Sequence, residues 1–157
     1  MPADVRLAEA PFVPDAEIGA FARAQPQAGG LVSFTGQVRV DGPAGAGDVE
    51  ALELRHYPPL TLPGMRALAD EALARWTLTG LLIVHRIGVM LPGDPIVLVC
   101  AAARHRREAF AAADFAMDHL KSESWFWKRE KRGGLWRWVE PRAQDHADLS
   151  RWQNARA

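Results

Sequence analysis

A chain of 157 residues is the size of one compact domain, long enough to bury a core without disulfide or metal staples. Apolar residues at 48% and charged residues at 24% match an ordinary globular protein and argue against long disorder. With 19 basic and 19 acidic residues the formal charge is zero, so no global field draws the chain to nucleic acid or membrane, and any affinity for anions has to be local.

Residues 3–10 predict a short strand, and Val13-Pro-Asp-Ala-Glu17 opens a helix with acidic residues in its first turn and Ile18, Phe21 and Ala22 on its buried face. From Gly29 to Val40 the pattern becomes β-rich, with Gly36 marking a bulge. The glycine-rich residues 41–48 cannot easily pack or pair and predict a mobile loop. Val49 to His56 reads as the returning strand. Pro58 and Pro59 end it before a helix to about Trp76, on which Met65, Leu68, Ala69, Ala72, Leu73 and Trp76 share one face.

Two further strands, near 79–89 and 95–103, are joined by Leu91-Pro-Gly-Asp-Pro95 and predict a hairpin. A helix from about Arg106 to Lys121 places Ala109, Phe110, Ala113, Met117 and Leu120 on one stripe. Beyond Ser122, the run from Trp125 to Arg132, the pair Gly133-Gly134 and Leu135 to Val139 predict two short strands around a tight turn. Residues 141–157 read as a surface helix or tail, and the whole chain, 1–157, as one domain. This order of elements favours an α+β fold with largely antiparallel pairing over a doubly wound parallel sheet.

Cys100, the single cysteine, lies in an apolar run and reads as a buried structural thiol. The N-terminal residues lack a basic flank leading into an apolar core, and no apolar run approaches the roughly 18 residues of a membrane span, which points to the cytoplasm. No histidine or cysteine pair has zinc-ligand spacing, and neither a phosphate-binding P-loop nor a Gly-x-Ser-x-Gly elbow occurs, so metal, P-loop and hydrolase chemistry are not expected.

The local charge is concentrated near the end of the chain. From Lys121 to Arg137 the basic residues Lys121, Lys128, Arg129, Lys131, Arg132 and Arg137 outnumber Glu123 and Glu130. Arg104-His-Arg-Arg107 stands where an apolar strand gives way to a helix. It is either an anion site using the free N–H groups of that helix or a solvated basic edge. Lys121 lies one turn after Met117, in a last turn where the helix dipole alone would favour a cation. Lys128, among Trp125, Phe126 and Trp127, points to the same side as Phe126. It is either a desolvated cation for acid/base work or a strand lysine snorkelling past its aromatic neighbours. Arg39 ends its strand beside the glycine-rich loop, within reach of a cleft. His56 and His85 read as satisfied core or surface histidines. The interleaved Trp125, Trp127, Lys128, Arg129, Trp136 and Arg137 raise a second possibility, a single-strand nucleic-acid module, against which zero net charge already counts.

Taken together, Val32-Ser-Phe-Thr-Gly-Gln-Val-Arg39, Leu52-Glu-Leu-Arg-His-Tyr57, Val84-His-Arg-Ile-Gly88 with Pro92-Gly-Asp94, His105-Arg-Arg-Glu-Ala-Phe110, Met117-Asp-His-Leu-Lys121, Trp127-Lys-Arg-Glu130 and Trp138-Val-Glu140 resemble the large, catalytic subunits of molybdopterin synthases. The resemblance runs from about Gly29 through Arg142. It implies an α/β hammerhead with an additional antiparallel β-sheet. It also implies a cytoplasmic sulfurtransferase that converts a cyclic pyranopterin monophosphate into molybdopterin, with no cofactor of its own. The sulfur donor would be the C-terminal thiocarboxylate of a small ubiquitin-like partner ending in Gly-Gly, and two large subunits would form the homodimer core of a heterotetramer. By matching position, Lys121 and Lys128 would be catalytic. His105, Arg106 and Arg39 would bind the substrate phosphate, and Phe34 and Met117 would line the site. Trp125 stands where related chains often carry proline, which would reshape the wall of the partner's tail channel, and Ala103 where a small hydroxyl residue is common. A scaffold that keeps the fold without catalysis is a third reading, against which the presence of all these charged residues argues.

Overall fold

The computed structural model describes residues 3–42, 45, 47–122 and 125–154. Positions 43, 44 and 46 of the glycine-rich 41–48 segment, Glu123, and residues 155–157 of the C-terminal segment lie outside the described residues. The first half of the chain forms β1 (Ala3–Ala8), α1 (Pro14–Arg23), β2 (Gly30–Gln37), β3 (Ala51–His56) and α2 (Thr61–Arg75). Then follow β4 (Leu78–Arg86), β5 (Gly88–Met90), β6 (Pro95–Ala103), α3 (Arg106–Ser122), β7 (Phe126–Arg132), β8 (Leu135–Val139) and α4 (Ala143–Asn154).

Strands β4 and β6 are apolar along nearly their whole length, so neither of their faces can be left to water. They pair antiparallel at the centre of a four-stranded sheet ordered β1-β4-β6-β2, in which only the β1–β4 pair is parallel. The strand alternation divides their side chains between two cores. Leu81, Ile83, Val97 and Val99 face α2 and α3, where Met65, Leu68, Ala112, Phe115 and Ala116 meet them. Leu82, Val84, Leu98 and Cys100 face the other way, onto Phe12 and the α1 residues Ile18 and Phe21. The second sheet is wholly antiparallel, ordered β5-β3-β7-β8, and closes a smaller core around Leu52, Leu54 and Met90. Two sheets with four helices make the α+β fold expected from the element order.

The bulge expected at Gly36 is present as a register shift between Gly36 and Gln37 against β6. The hairpin expected from 79–89 and 95–103 is only partly found. The two strands do pair, but the first ends at Arg86, and residues 88–90 cross to the second sheet to pair with β3. Gly88 takes φ +92°, a turn that an L side chain resists, so the chain leaves one ladder there and enters another. The turn at Gly93, closed by Leu91 N donating to Asp94 Oδ2 at 2.9 Å, therefore joins β5 to β6. The turn between β7 and β8 falls on Gly133 and Gly134, both with positive φ, as a two-residue hairpin of the primed type requires.

Helix α4 is anchored through Trp152. Its ring meets Trp76 and Phe115 edge-on, with centroids 5.7 and 5.4 Å away, and its Nε1 donates to Asp118. Trp125 is buried against α2: Thr61 Oγ1 donates to its carbonyl at 2.6 Å, and a Cβ placed on Gly64 would stand 2.4 Å from its Nε1. The bulk of this residue is thus taken up by core packing.

Gly64→Ala therefore forces the Trp125 indole out of its seat. Urea or thermal unfolding should show a loss of about 1–3 kcal/mol, the range for overpacking a filled core. An unchanged midpoint would show that Trp125 does not depend on the bare backbone of α2.

Candidate functional site

A cleft of about 570 Å³ opens between the two sheets, and each wall is explained by a local rule. Along β7 the alternation sends Phe126, Lys128 and Glu130 into the cleft. Trp127 and Arg129 take the outer face. From the edge of the first sheet come Phe34, Gln37 and, just past the strand, Arg39. The last turns of α3 supply Met117, Leu120 and Lys121, where the one-turn spacing of Met117 and Lys121 gives them a shared face. The link from β8 into α4 closes the cleft with Glu140, Arg142 and Asp145. The floor is apolar, built from Leu52, Leu54, Val97 and Phe126, while the rim is charged, with the cations Arg39, Lys121, Lys128, Arg132 and Arg142 in slight excess over Asp41, Glu130, Glu140 and Asp145.

Electrostatics distinguish the two lysines. Much of the Lys121 side chain is open to solvent, but its ammonium group meets enough protein that desolvation pushes its pKa down. Repulsion from Lys128 adds to this, Asp145 opposes it, and Arg142 and Arg39 add smaller repulsions. Lys128 Nζ stands 4.0 Å from Glu130 Oε1, and the other oxygen of that carboxylate takes Arg132 Nη2. Asp145 is clamped in turn. Burial works against its charge, yet hydrogen bonds from the Arg142 side chain and backbone, the former 3.0 Å long, hold its carboxyl below the usual range. Ser122, next to Lys121, donates to the Asp145 carbonyl at 2.6 Å and so ties α4 to the end of α3.

The structure therefore brings Phe34, Arg39, Met117, Lys121 and Lys128 together. It does not bring His105 and Arg106 to them within one chain. Both are exposed at the start of α3, beside Gly30, with Arg106 Cα 3.3 Å from where a Gly30 Cβ would lie. The helical rise puts Arg106 about 22 Å from Lys121 at the other end.

Sequence reasoning passed over His85, Arg142, Asp145 and Glu130 as site residues. His85 is indeed buried, but it also lines the cleft, and burial drives its pKa down to about 4, partly offset by its hydrogen bond to the Arg86 carbonyl, with the Lys121 charge lowering it further. Periodicity could have given its parity in β4, but not which face of the sheet would open onto a cleft. Arg142 did carry a signal, a basic residue just after Pro141 where a strand turns into a helix.

The tryptophan and arginine interleaving has a structural explanation on the outer face of the second sheet. Arg129 lies 4.4 Å over the Trp136 ring and Arg55 5.5 Å over Trp138, and Glu53 bridges both arginines at 2.7 and 3.0 Å. Arg129, central to the interleaved motif, is thus already occupied, which weakens the motive for the nucleic-acid reading. Cys100 faces α1, away from the cleft, and burial, with the charge of Glu17 adding, pushes its thiol up to about 11, the state of an inert structural cysteine. Among the described residues no His, Cys, Asp or Glu group could hold a metal ion, and no helix is long and apolar enough to cross a membrane.

An α+β chain with a cleft apolar at its floor and cationic at its rim is an enzyme-like scaffold for a flat, anionic small molecule. Comparison with known proteins identifies the branch. The family described as MoaE protein matches residues 7–123. The chain is 46% identical over 148 residues to the molybdopterin synthase catalytic subunit of Ralstonia nicotianae, covering 94% of this chain and 83% of that one. It is also 46% identical over 142 residues to the catalytic subunit of Cereibacter sphaeroides, covering 90% and 94%. The solved molybdopterin biosynthesis MoaE protein of Burkholderia ambifaria superposes with a TM-score of 0.79 at 41% identity, over 96% of this chain and 98% of that one. The chain belongs to the MoaE family.

Of the chain's lysines, Lys121, Lys128 and Lys131, the first should be the most nucleophilic near pH 8, because a lowered pKa leaves more neutral amine at a pH where an ordinary lysine is charged. Limited labelling with an amine-reactive ester followed by peptide mass spectrometry should find Lys121 modified first. Prior labelling of Lys131 would contradict the electrostatic account.

Proposed function

We propose that the chain is the catalytic subunit of a molybdopterin synthase. It acts on a cyclic pyranopterin monophosphate and forms molybdopterin, taking sulfur from the C-terminal thiocarboxylate of a small ubiquitin-like subunit whose Gly-Gly tail enters the cleft. The observation that carries this reading is the convergence of Arg39, Lys121 and Lys128 in one cleft, from three elements far apart in sequence, in a chain of the MoaE family. A cationic rim suits both the phosphate and the anionic thiocarboxylate. The apolar floor suits the flat pterin.

The two lysines divide the work by their surroundings. Lys121, desolvated and crowded by like charge so that its pKa is lowered, is the group that gives up a proton more readily than an ordinary lysine, as loss of the bridging phosphate oxygen demands. Lys128, beside Glu130, is the cation against which the thiocarboxylate sulfur is held as it bonds to the substrate carbon in place of the departing phosphate oxygen, after which water hydrolyses the acyl–sulfur bond and releases the partner's tail as a carboxylate. We place the reaction in the cytoplasm, a compartment that suits a lone buried thiol.

His105 and Arg106 enter the site from a second copy. Strand β2 is an edge of its sheet, with Arg106 at its Gly30 end and Arg39 just past its Gln37 end. Pairing two β2 edges antiparallel about a two-fold axis sets the Gly30 end of each copy against the Gln37 end of the other. The eight residues of β2 span about 26 Å, close to the length of α3, so each copy's basic cluster reaches the mouth of the other's cleft. Leu31 and Phe110, exposed at 45% and 59%, would be covered by the same contact.

Lys121→Ala should lower molybdopterin formation by about 10²–10⁴-fold without shifting the unfolding midpoint. Full activity would remove Lys121 from the mechanism. Arg106→Ala should be similarly impaired by loss of a phosphate contact. Mixing and re-equilibrating the two inactive variants should restore about a quarter of wild-type activity, because half the dimers are then mixed and each holds one intact cleft. No recovery would mean that both residues serve the same chain's site.

A further inference from the structure

The apolar floor of the cleft carries a buried polar group that the mechanism above does not use. His85, on β4, is buried to 6% exposure and lines the apolar floor. Its ring lies flat on Phe126, with centroids 4.0 Å apart and planes 17° from parallel, and its Nδ1 is 2.9 Å from the Arg86 carbonyl. A carbonyl oxygen can only accept, so Nδ1 must carry the hydrogen and donate. Nε2 is then the bare lone pair. Among the described residues nothing donates to Nε2, and the stack fixes the ring plane while the Nδ1 bond fixes the ring's orientation within it.

Burial and the nearby Lys121 charge keep this imidazole neutral through the working range of pH. The floor therefore presents a fixed, uncharged acceptor, whereas the rim carries the donors Arg39, Lys121, Lys128, Arg132 and Arg142 beside the carboxylates Asp41, Glu130, Glu140 and Asp145, of which Glu130 and Asp145 are engaged by Arg132 and Arg142. Such a pair of surfaces sorts a ligand by its two ends. Acceptors and negative charge go to the rim, and a hydrogen-bond donor goes to the floor. A reduced pterin carries ring N–H groups on a flat body, whereas a phosphate carries no obligatory donor.

We propose that His85 is the substrate-orienting residue of this cleft, its Nε2 accepting an N–H of the substrate's heterocycle while the cations of the rim hold the phosphate. The inference rests on the functional reading above. A buried acceptor left unmatched costs free energy, so a ligand that cannot donate at this position is rejected, and the residue sets specificity as well as orientation. The Phe126 stack is what makes the geometry unique, because it fixes the plane in which the lone pair points.

The test uses the full chain assembled with a small subunit ending in an ordinary carboxylate, so that binding is measured without turnover. Two probes are titrated anaerobically into wild type, His85→Phe and His85→Gln: cyclic pyranopterin monophosphate and inorganic phosphate. His85→Phe keeps the stack and removes the acceptor, and should weaken pterin binding about tenfold while leaving phosphate binding within about twofold. His85→Gln, which restores an acceptor oxygen, should recover part of the loss. Unchanged pterin affinity in His85→Phe, or equal losses for both probes, would overturn the proposal, the latter marking His85 as merely structural. Failure of wild type itself to bind the pterin would instead sink the functional reading beneath it. Should the variants not fold, ¹⁵N spectra of histidine-labelled wild type decide: the Nε2 resonance of His85 should move on adding the pterin and not on adding phosphate, and an unmoved resonance refutes the assignment.

Discussion

The seating of α3 on the first sheet is the constraint from which the rest of the site follows. Phe115 at the middle of the helix is fully buried among Trp76, His119 and Trp152, and the small residues Ala109, Ala112, Ala113 and Ala116 let the helix lie close to β6 and β2. A helix held that firmly cannot slide or roll, so both its ends are fixed. One end places Lys121 at the cleft and the other places Arg106 beside Gly30. The separation of two basic clusters by a helix length is thus a consequence of core packing, and it is the ground on which a second copy of the chain is proposed to complete the site.

Holding several cations around one cleft costs electrostatic energy unless something opposes it. Among the described residues four carboxylates line the cleft against five cations, and two of them are specifically tied: Glu130 stands between Lys128 and Arg132, and Asp145 is pinned by Arg142 and leashed to Ser122, while Asp41 and Glu140 complete the set. The net effect is a slight excess of positive charge that includes one lysine, Lys121, whose pKa is lowered by burial and like charge. Helix α4 belongs to this balance. It lies outside the stretch matched by the family description, yet Trp152 docks it on the core so that its first turn can deliver Asp145.

The second sheet shows how one strand can serve two purposes. The inward side chains of β7 line the cleft, and its outward ones join a lattice of tryptophans and arginines that Glu53 bridges. In sequence the two sets are interleaved and look alike. Strand alternation alone separates them, and it turned an apparent nucleic-acid motif into half a cleft wall and half a structural surface.

By itself the sequence determined what local rules govern. The apolar runs of β4 and β6, the stripe of α3, the bulge at Gly36 and the Gly133-Gly134 turn were legible because periodicity and backbone sterics act over a few residues. The relation of Met117 to Lys121, and of Phe126 to Lys128, followed from the same periods. The motif resemblance named the chemistry as well, because the residue types that perform it recur in order along the chain. Only the tertiary structure decided that Gly88 breaks a ladder and passes the chain to a second sheet, that His85 faces a cleft, that Arg142 and Asp145 close it, and that His105 and Arg106 stand a helix length away. Each of these depends on which elements meet, and such meetings are set by long-range packing that no local pattern records.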